Sequence, residues 1–209
     1  MTELRESLRR NGLLVILRAR QEAPLVEVVR SLIEAGVRAV EITLPTPGAL
    51  DAVRILAAQA PPDVLIGAGT VLTAADVAVA ADAGARFVVS PVFRPEIVTV
   101  ARESGIGSLP GVFTPTEMAA AWDLGPSAVK LFPASALGPA FVSAVAAPLP
   151  DVPVVPTGGV ALSDVEPYLD AGALGVAVGS PVLGDALSGG SLSALRSRAR
   201  DFVAAAVRR

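Results

Sequence analysis

The sequence predicts a protein of the α/β class that folds as a (β/α)8 TIM barrel, with residues 1–209 forming a single domain. Short apolar runs alternate with segments of helical pattern, and this unit occurs eight times along the chain. The runs are continuously apolar, which is typical of parallel strands that are covered on both faces. A doubly wound open sheet shows the same alternation and is the alternative that the pattern leaves open.

Eight runs rich in apolar and β-branched residues are the predicted strands. In chain order they are Leu13–Ala19, Ala39–Pro45, Leu65–Val71, Phe87–Phe93, Gly107–Phe113, Ala128–Ala134, Val152–Val160 and Gly175–Ser180. The carboxyl ends of the strands meet at one face of such a barrel, and its active site lies there. Polar residues inside these runs or just after them are therefore the candidates for a functional role.

The segments between the runs carry signals that begin and end helices. Thr114 and Glu117 have the spacing of a capping box around Pro115, and Ser163 with Glu166 repeats that spacing. Glycines stand where helices are expected to end, at Gly36, Gly84, Gly105, Gly125 and Gly172. These signals favour a helix after most of the strands.

Two residue types are absent, and their absence excludes several kinds of chemistry. Without cysteine there is no disulfide, thiol nucleophile or thiolate metal site. Without histidine there is no Ser-His-Asp triad and no imidazole zinc site. Acid–base or covalent chemistry must come from carboxylates, hydroxyls, a tyrosine or the one lysine of the chain, Lys130.

Charge and hydropathy limit the partners that are expected. The net charge is −3 and no basic patch is interleaved with aromatic residues, so nucleic acid is not an expected partner. No run approaches the roughly 18 uninterrupted apolar residues of a membrane span, so no membrane association is expected. The first residues lack the apolar core and cleavage site of a signal peptide, and a cytoplasmic location is therefore expected.

Lys130 and Glu41 are charged residues inside apolar runs, each the third residue of its predicted strand. Strands two and six lie opposite each other in an eight-stranded barrel, and alternate strands contribute to the same interior layer. We expect the two side chains to face each other across the barrel. A purely structural ion pair is the alternative, but such pairs are often no more stable than apolar replacements. We favour a functional role, since buried ionisable groups concentrate at active sites.

Burial of Lys130 predicts a nucleophilic amine. Desolvation disfavours the ammonium form, and Arg18 at the end of the first strand disfavours it further if it lies near. A neutral amine beside a carboxylate is suited to Schiff-base chemistry on a ketone, with Lys130 attacking the carbonyl and Glu41 transferring protons.

Two further features indicate binding of anions. Gly158–Gly159 follows the seventh strand and Gly179–Ser180 follows the eighth, where barrels often bind phosphate, although a glycine pair also suits a simple turn. An arginine at a strand end, Arg18, indicates an anion nearby. Thr70 is placed either to bind a substrate carboxylate or merely to begin a helix. Phe132 shares the face of Lys130 and either shapes a pocket or fills the core.

These residues resemble the 2-keto-3-deoxy-6-phosphogluconate (KDPG) aldolase family, whose members often also act as 4-hydroxy-2-oxoglutarate aldolases. The resemblance runs along essentially the whole chain, in VILRA, VEITLPTP, IGAGTVL, VVSP, PGVFTPTE, VKLFPAS, VPTGGV and VGS. It implies a class I aldolase that needs no metal or other cofactor. It further implies a cytoplasmic homotrimer that acts on a small keto-acid sugar phosphate.

The resemblance also implies roles for individual residues. Lys130 would form the Schiff base and Glu41 would be the general acid and base. The pyruvyl pocket would be lined by Thr70, Pro91 and Phe132. The phosphate would be bound by Gly158, Gly159 and Ser180, helped by Thr157.

The chain departs from the family pattern at Pro45, where many KDPG aldolases have an arginine that helps to hold the substrate. Arg18 is the cation that could act instead. Thr157 resembles the gluconate type of aldolase, whereas Leu137–Pro139 has counterparts in the galactonate type, so a 2-keto-3-deoxy-6-phosphogalactonate aldolase is an alternative. A phosphosugar epimerase and a non-catalytic phosphosugar-binding barrel are the more distant ones.

Overall fold

The computed structural model describes residues 2–207, whose strands and helices alternate as the sequence predicts. The strands are β1 Leu13–Leu17, β2 Ala39–Thr43, β3 Leu65–Gly69, β4 Phe87–Val89, β5 Gly107–Leu109, β6 Gly111–Val112, β7 Val129–Leu131, β8 Val154–Pro156 and β9 Val176–Val178. The α-helices are α1 Glu3–Asn11, α2 Leu25–Glu34, α3 Ala49–Gln59, α4 Ala74–Asp82, α5 Pro95–Glu103, α6 Pro115–Trp122, α7 Gly138–Ala146, α8 Val165–Asp170, α9 Ser180–Leu183 and α10 Leu192–Ala206. None of these helices has the length and apolar character that a bilayer crossing requires.

The parallel strands close into a barrel. One sheet has the order β5-β4-β3-β2-β1-β9 and the other the order β6-β7-β8. On one side β8 and β9 meet where Leu174 N–H donates to Val154 O over 2.8 Å and Thr157 bridges Ala177. On the other side β5 and β6 are consecutive in the chain. This closure confirms the predicted barrel and excludes the doubly wound open sheet.

The fifth predicted run, Gly107–Phe113, is two strands rather than one. Pro110 separates β5, which pairs with β4, from β6, which pairs with β7. Proline has no N–H to donate to a ladder, and it interrupts the strand where the barrel turns. Its carbonyl still accepts from Lys130 N–H over 2.9 Å, which ties this corner to β7.

The interior of the barrel is apolar toward the amino ends of the strands. Leu4 and Leu8 of α1 are 1% and 0% exposed and close this end. They belong to a buried cluster that also contains Leu14, Ala39, Leu65, Phe87, Val89, Leu109, Ala128, Val155 and Ala177. The larger apolar cluster packs the helices against the outside of the strands. Within the residues that the structure describes, the barrel is therefore closed at the amino ends and open at the carboxyl ends.

The helix signals are mostly confirmed. Thr114 and Glu117 form the predicted capping box, and the five predicted C-terminal glycines all have positive φ, between 71° and 102°. The predicted box of Ser163 and Glu166 is wrong. There the chain enters α8 through a 3-10 turn, and Ala161 N–H donates to Asp164 Oδ2 over 2.8 Å.

Candidate active site

A cavity of about 510 Å³ opens at the carboxyl ends of the strands. It is lined by eight of the ten site residues that the sequence predicts, namely Arg18, Pro91, Lys130, Phe132, Thr157, Gly158, Gly159 and Ser180. Several of them lie just beyond the strands, which end earlier than the predicted runs because the last residues of each run leave the sheet. Glu41 and Thr70 adjoin residues that line the cavity.

Lys130 lies in the middle of β7, in register with Gly111 on β6 and Val155 on β8. It is 5% exposed, and its Nζ lies 5.1 Å from the ring centroid of Phe132. Burial lowers the pKa of Lys130 from its ordinary value; the Arg18 charge lowers it further, and the Glu41 charge opposes both effects. The neutral amine is thus more accessible than in a solvated lysine, as the sequence predicts.

Glu41 lies in β2 and is fully buried. Neither of its carboxyl oxygens has a hydrogen-bond partner, which is rare for a buried polar group and marks a place where a ligand or water could bind. Burial raises the pKa of Glu41, although the Lys130 and Arg18 charges act in the opposite direction. The carboxyl and the amine are therefore close enough to influence each other but are not hydrogen-bonded.

Arg18 and Thr70 form a polar contact at the mouth. Arg18 Nη2 donates to Thr70 Oγ1 over 3.0 Å. Thr70 has a φ of 56°, which is sterically unfavourable for a β-branched residue. Backbone strain of this kind concentrates at functional sites. The contact brings a cation and a hydroxyl together near Lys130.

The glycine pair after β8 has a specific geometry. Gly158 and Gly159 have φ values of 88° and 76°, a region that favours glycine. A Cβ at 158 would lie 3.0 Å from the Phe132 ring, and one at 159 would lie 2.6 Å from Ser135 Cβ. Both glycines line the cavity, where they present backbone without side chains. Thr157 is buried, and its hydroxyl donates to Val155 O over 3.2 Å.

Ser180 begins α9, directly after Gly179. This short helix is held at its other end by Arg198, whose Nε donates to Val182 O over 2.9 Å and whose Nη2 donates to Leu183 O over 2.8 Å. Ser180 and the glycine pair line the same cavity. Backbone N–H groups and a hydroxyl can bind an anion there without a basic side chain.

A family model described as "Aldolase: KDPG and KHG aldolase" matches residues 4–194. The chain belongs to this family. It is accordingly a class I aldolase, a carbon–carbon lyase, and family membership favours this activity over the epimerase and binding-barrel alternatives.

Relatives of this aldolase cover most of its length. The "Probable 2-dehydro-3-deoxy-6-phosphogalactonate aldolase" of Rhizobium meliloti is 40% identical over 181 residues, 86% of this chain and 85% of the relative. The "KHG/KDPG aldolase" of Escherichia coli K12 is 34% identical over 180 residues, 85% of this chain and 84% of the relative. The names of these relatives differ in substrate within one class of reaction.

A solved structure supports the fold comparison. KDPG aldolase from Legionella pneumophila, with pyruvate captured at low pH as a covalent carbinolamine intermediate, is 27% identical and has a TM-score of 0.83. The match covers 94% of this chain and 96% of that one.

Sequence reasoning missed Thr46 as a residue that organises the mouth of this aldolase. Thr46 is 2% exposed, and its hydroxyl accepts from Ala19 N–H over 3.1 Å and shares a 2.9 Å hydrogen bond with Thr43. It thereby fastens the loop that follows Arg18 to the end of β2. The signal available in the sequence was a pair of threonines three residues apart at a strand end. Pro45, the point of departure from the family pattern, is exposed beside it.

Proposed function

We propose that this aldolase cleaves KDPG to pyruvate and glyceraldehyde 3-phosphate through a Schiff base on Lys130. We propose that it also cleaves 4-hydroxy-2-oxoglutarate to pyruvate and glyoxylate. The observation that carries the proposal is a buried amine beside a buried carboxyl without hydrogen bonds, next to a cavity with anion-binding groups. Nucleophile and proton carrier are the two groups that Schiff-base cleavage needs.

The first step joins Lys130 to the substrate. The neutral Nζ attacks the C2 ketone, the new C–N bond forms, and a proton passes from nitrogen to the former carbonyl oxygen. The protonated Glu41 carboxyl then gives its proton to this hydroxyl, which leaves as water. The product is an iminium on Lys130, with Glu41 as a carboxylate.

The second step breaks the carbon chain. Glu41 removes the C4 hydroxyl proton, the C3–C4 bond breaks, and its electron pair moves through C3–C2 to the iminium nitrogen to give an enamine. The aldehyde leaves. Glu41 returns its proton to C3, which regenerates an iminium and a Glu41 carboxylate. Water then adds to this iminium and gives one proton to Glu41, and cleavage of the C–N bond, with transfer of the hydroxyl proton to nitrogen, releases pyruvate and the neutral amine while Glu41 is again protonated.

The two ends of the substrate are held by different groups. We assign the pyruvyl carboxylate to Thr70, with Pro91 and Phe132 packing against the carbon chain. We assign the phosphate to the region of Gly158, Gly159, Thr157 and Ser180. The hydroxyglutarate substrate lacks a phosphate. Arg18, the arginine that lines the cavity, would hold its second carboxylate instead.

Borohydride trapping tests the covalent step. Reduction in the presence of pyruvate should leave one pyruvate-derived adduct, and peptide mass analysis should place it on Lys130, since the chain has one lysine. Only the N-terminal amine could compete, and Lys130→Arg controls for it. Absence of an adduct on folded protein would overturn the class I mechanism for this chain.

A galactonate substrate is the second candidate. It is favoured by the Rhizobium meliloti relative, which is 40% identical to this chain. The two sugar phosphates differ in configuration at C4, so kcat/KM measured for both epimers decides between them. A higher value for the gluconate epimer supports the first candidate, and a higher value for the galactonate epimer supports the second.

We further propose that the aldolase is a homotrimer in the cytoplasm, on the family resemblance. Light scattering coupled to size-exclusion chromatography measures the assembly directly. A monomer or dimer at micromolar concentration would contradict the proposed trimer.

A further inference from the structure

The inner face of β3 has two gaps. Leu65, Gly67 and Gly69 alternate on this face, and the two glycines contribute no side chain to the interior. Glycine weakens a strand and often marks a close approach by another group. Each gap is filled by a neighbouring strand.

The two gaps are filled by different kinds of group. A Cβ built at Gly67 would lie 2.5 Å from two carbons of the Phe87 ring, which comes from β4. A Cβ built at Gly69 would overlap the carboxyl of Glu41, with Oε1, Cδ and Cγ all closer than 3.0 Å. The Phe87 ring occupies the gap at Gly67, and the carboxyl of Glu41 occupies the gap at Gly69, which is nearer the carboxyl end of the strand.

The strand register shows how far Glu41 reaches. Glu41 lies opposite Gly67, and Thr43 lies opposite Gly69. The Glu41 carboxyl nevertheless lies against Gly69, so it extends toward the carboxyl end of the barrel by about one pleat beyond its own Cα level. This is the direction of the cavity that Lys130 lines.

Hydrogen bonds do not hold the carboxyl there. No protein group donates a hydrogen bond to either oxygen of Glu41, so within the protein the carboxyl is positioned by packing and by charge. The Lys130 and Arg18 charges attract the carboxylate from the mouth. A bare backbone at Gly69 provides the space that the carboxyl needs in order to extend in that direction.

We propose that Gly69 is a positioning residue that determines where the Glu41 carboxyl lies, because any side chain at this position displaces it from the barrel mouth. The inference rests on the proposed role of Glu41 in proton transfer. Gly69 does not have a positive φ, so alanine fits its backbone and the clash with Glu41 is what the substitution adds.

Gly69→Ala and Gly67→Ala form a matched pair of variants. Both add one methyl to the same inner face of the same strand, and both overlap a buried neighbour. Only Gly69→Ala displaces Glu41. Two readouts distinguish the variants: the final extent of borohydride trapping with pyruvate, and the rate at which pyruvate methyl protons exchange with deuterium oxide, followed by NMR.

Gly69→Ala should still be trapped on Lys130, but its exchange rate per trapped site should fall by about 10²-fold or more, the size of a general acid–base contribution. Gly67→Ala should lower Tm and keep the wild-type ratio of exchange to trapping. A Gly69→Ala ratio equal to that of wild type would overturn the inference, as would an equal loss in Gly67→Ala. If wild type itself is not trapped, the proposed function fails instead.

If Gly69→Ala folds poorly, a double-mutant cycle of Tm values with Glu41→Ala tests the inference instead. Overpacking should lower Tm by about 5 °C in the wild-type background. The same substitution should lower Tm much less in Glu41→Ala, where the clashing carboxyl is gone. Equal shifts in the two backgrounds would show that Gly69 and Glu41 are not coupled, and would overturn the inference.

Discussion

The two halves of the barrel interior differ in how completely their groups are satisfied. The amino-end half is an apolar core closed by Leu4 and Leu8. The carboxyl-end half contains a buried lysine and a buried carboxyl whose oxygens have no hydrogen-bond partner. A stable core would fill these positions with apolar residues. Unsatisfied buried groups of this kind reduce local stability, and proteins retain them where function requires them.

Replacing Lys130 and Glu41 by apolar residues should make the carboxyl-end half of the barrel interior as apolar as the amino-end half. Lys130→Met with Glu41→Met removes both the proposed nucleophile and the proposed proton carrier, and turnover should fall by about 10⁴-fold or more. The free energy of unfolding should stay the same or rise by about 1–4 kcal/mol, because buried ionisable groups are replaced by apolar contacts. Aldol cleavage assays and urea unfolding measure the two effects. A marked loss of stability would show that the pair is structural.

A substitution in the amino-end half should have the opposite pattern of effects, lowering stability and leaving activity nearly unchanged. Leu8→Ala leaves a cavity beneath the strands, since Leu8 is fully buried. The free energy of unfolding should fall by about 2–5 kcal/mol, while kcat/KM of the folded protein changes little. Urea unfolding and steady-state kinetics at a temperature where the variant is folded check this. Val79→Ala is the control, because Val79 is 47% exposed and its truncation should have little effect.

Thr46→Val tests whether the mouth depends on its buried hydroxyl. The substitution keeps the shape but removes the acceptor for Ala19 N–H, which should loosen the loop that follows Arg18. A hydrogen bond of this kind contributes about 1 kcal/mol, so KM should rise by roughly 3- to 10-fold with little change in kcat. Thr116→Val, on the exposed side of α6, should leave KM unchanged. An unaltered KM in Thr46→Val would contradict the positioning role.

The smallest expected effect concerns pH. The Arg18 charge lowers the pKa of Lys130, so Arg18→Gln should raise that pKa. The neutral amine accumulates as pH rises through the pKa, and the initial trapping rate with pyruvate should therefore reach its plateau at higher pH in the variant. Arg20→Gln, an exposed arginine in the same loop, is the control. A plateau at unchanged or lower pH would mean that Arg18 does not act on Lys130.

Much of the architecture could be predicted because it repeats. The period of the apolar runs predicts the barrel, and the alternation of side chains along a strand predicts that Glu41 and Lys130 point inward. The division of the fifth run into β5 and β6 at Pro110 could also have been predicted, because proline lacks the N–H that a strand ladder needs. It was not predicted because Gly107–Phe113 is apolar along nearly all of its length. The hydrogen bond from Ala161 N–H to Asp164 was not predicted, because a 3-10 turn precedes α8 and shifts the start of the helical segment.

Other features depend on which strands become neighbours. The contact between Thr46 and Ala19 joins two loops that are far apart in the sequence. The gap at Gly69 has meaning only once the reach of Glu41 on the adjacent strand is known. A glycine in an apolar run looks the same in the sequence whether a ring or a carboxyl fills its place, as the comparison with Gly67 illustrates.

The closure of the amino end by α1 has a kinetic consequence. With Leu4 and Leu8 buried beneath the strands, the pocket around Lys130 is closed at the amino ends and has its entrance at the carboxyl ends, within residues 2–207. Under the proposed mechanism, the fragment nearest the entrance departs before the fragment bonded to Lys130. Product release would then be ordered, with the aldehyde first and pyruvate last. In the direction of synthesis, the same mechanism requires pyruvate to bind before the aldehyde, which follows it through the same opening.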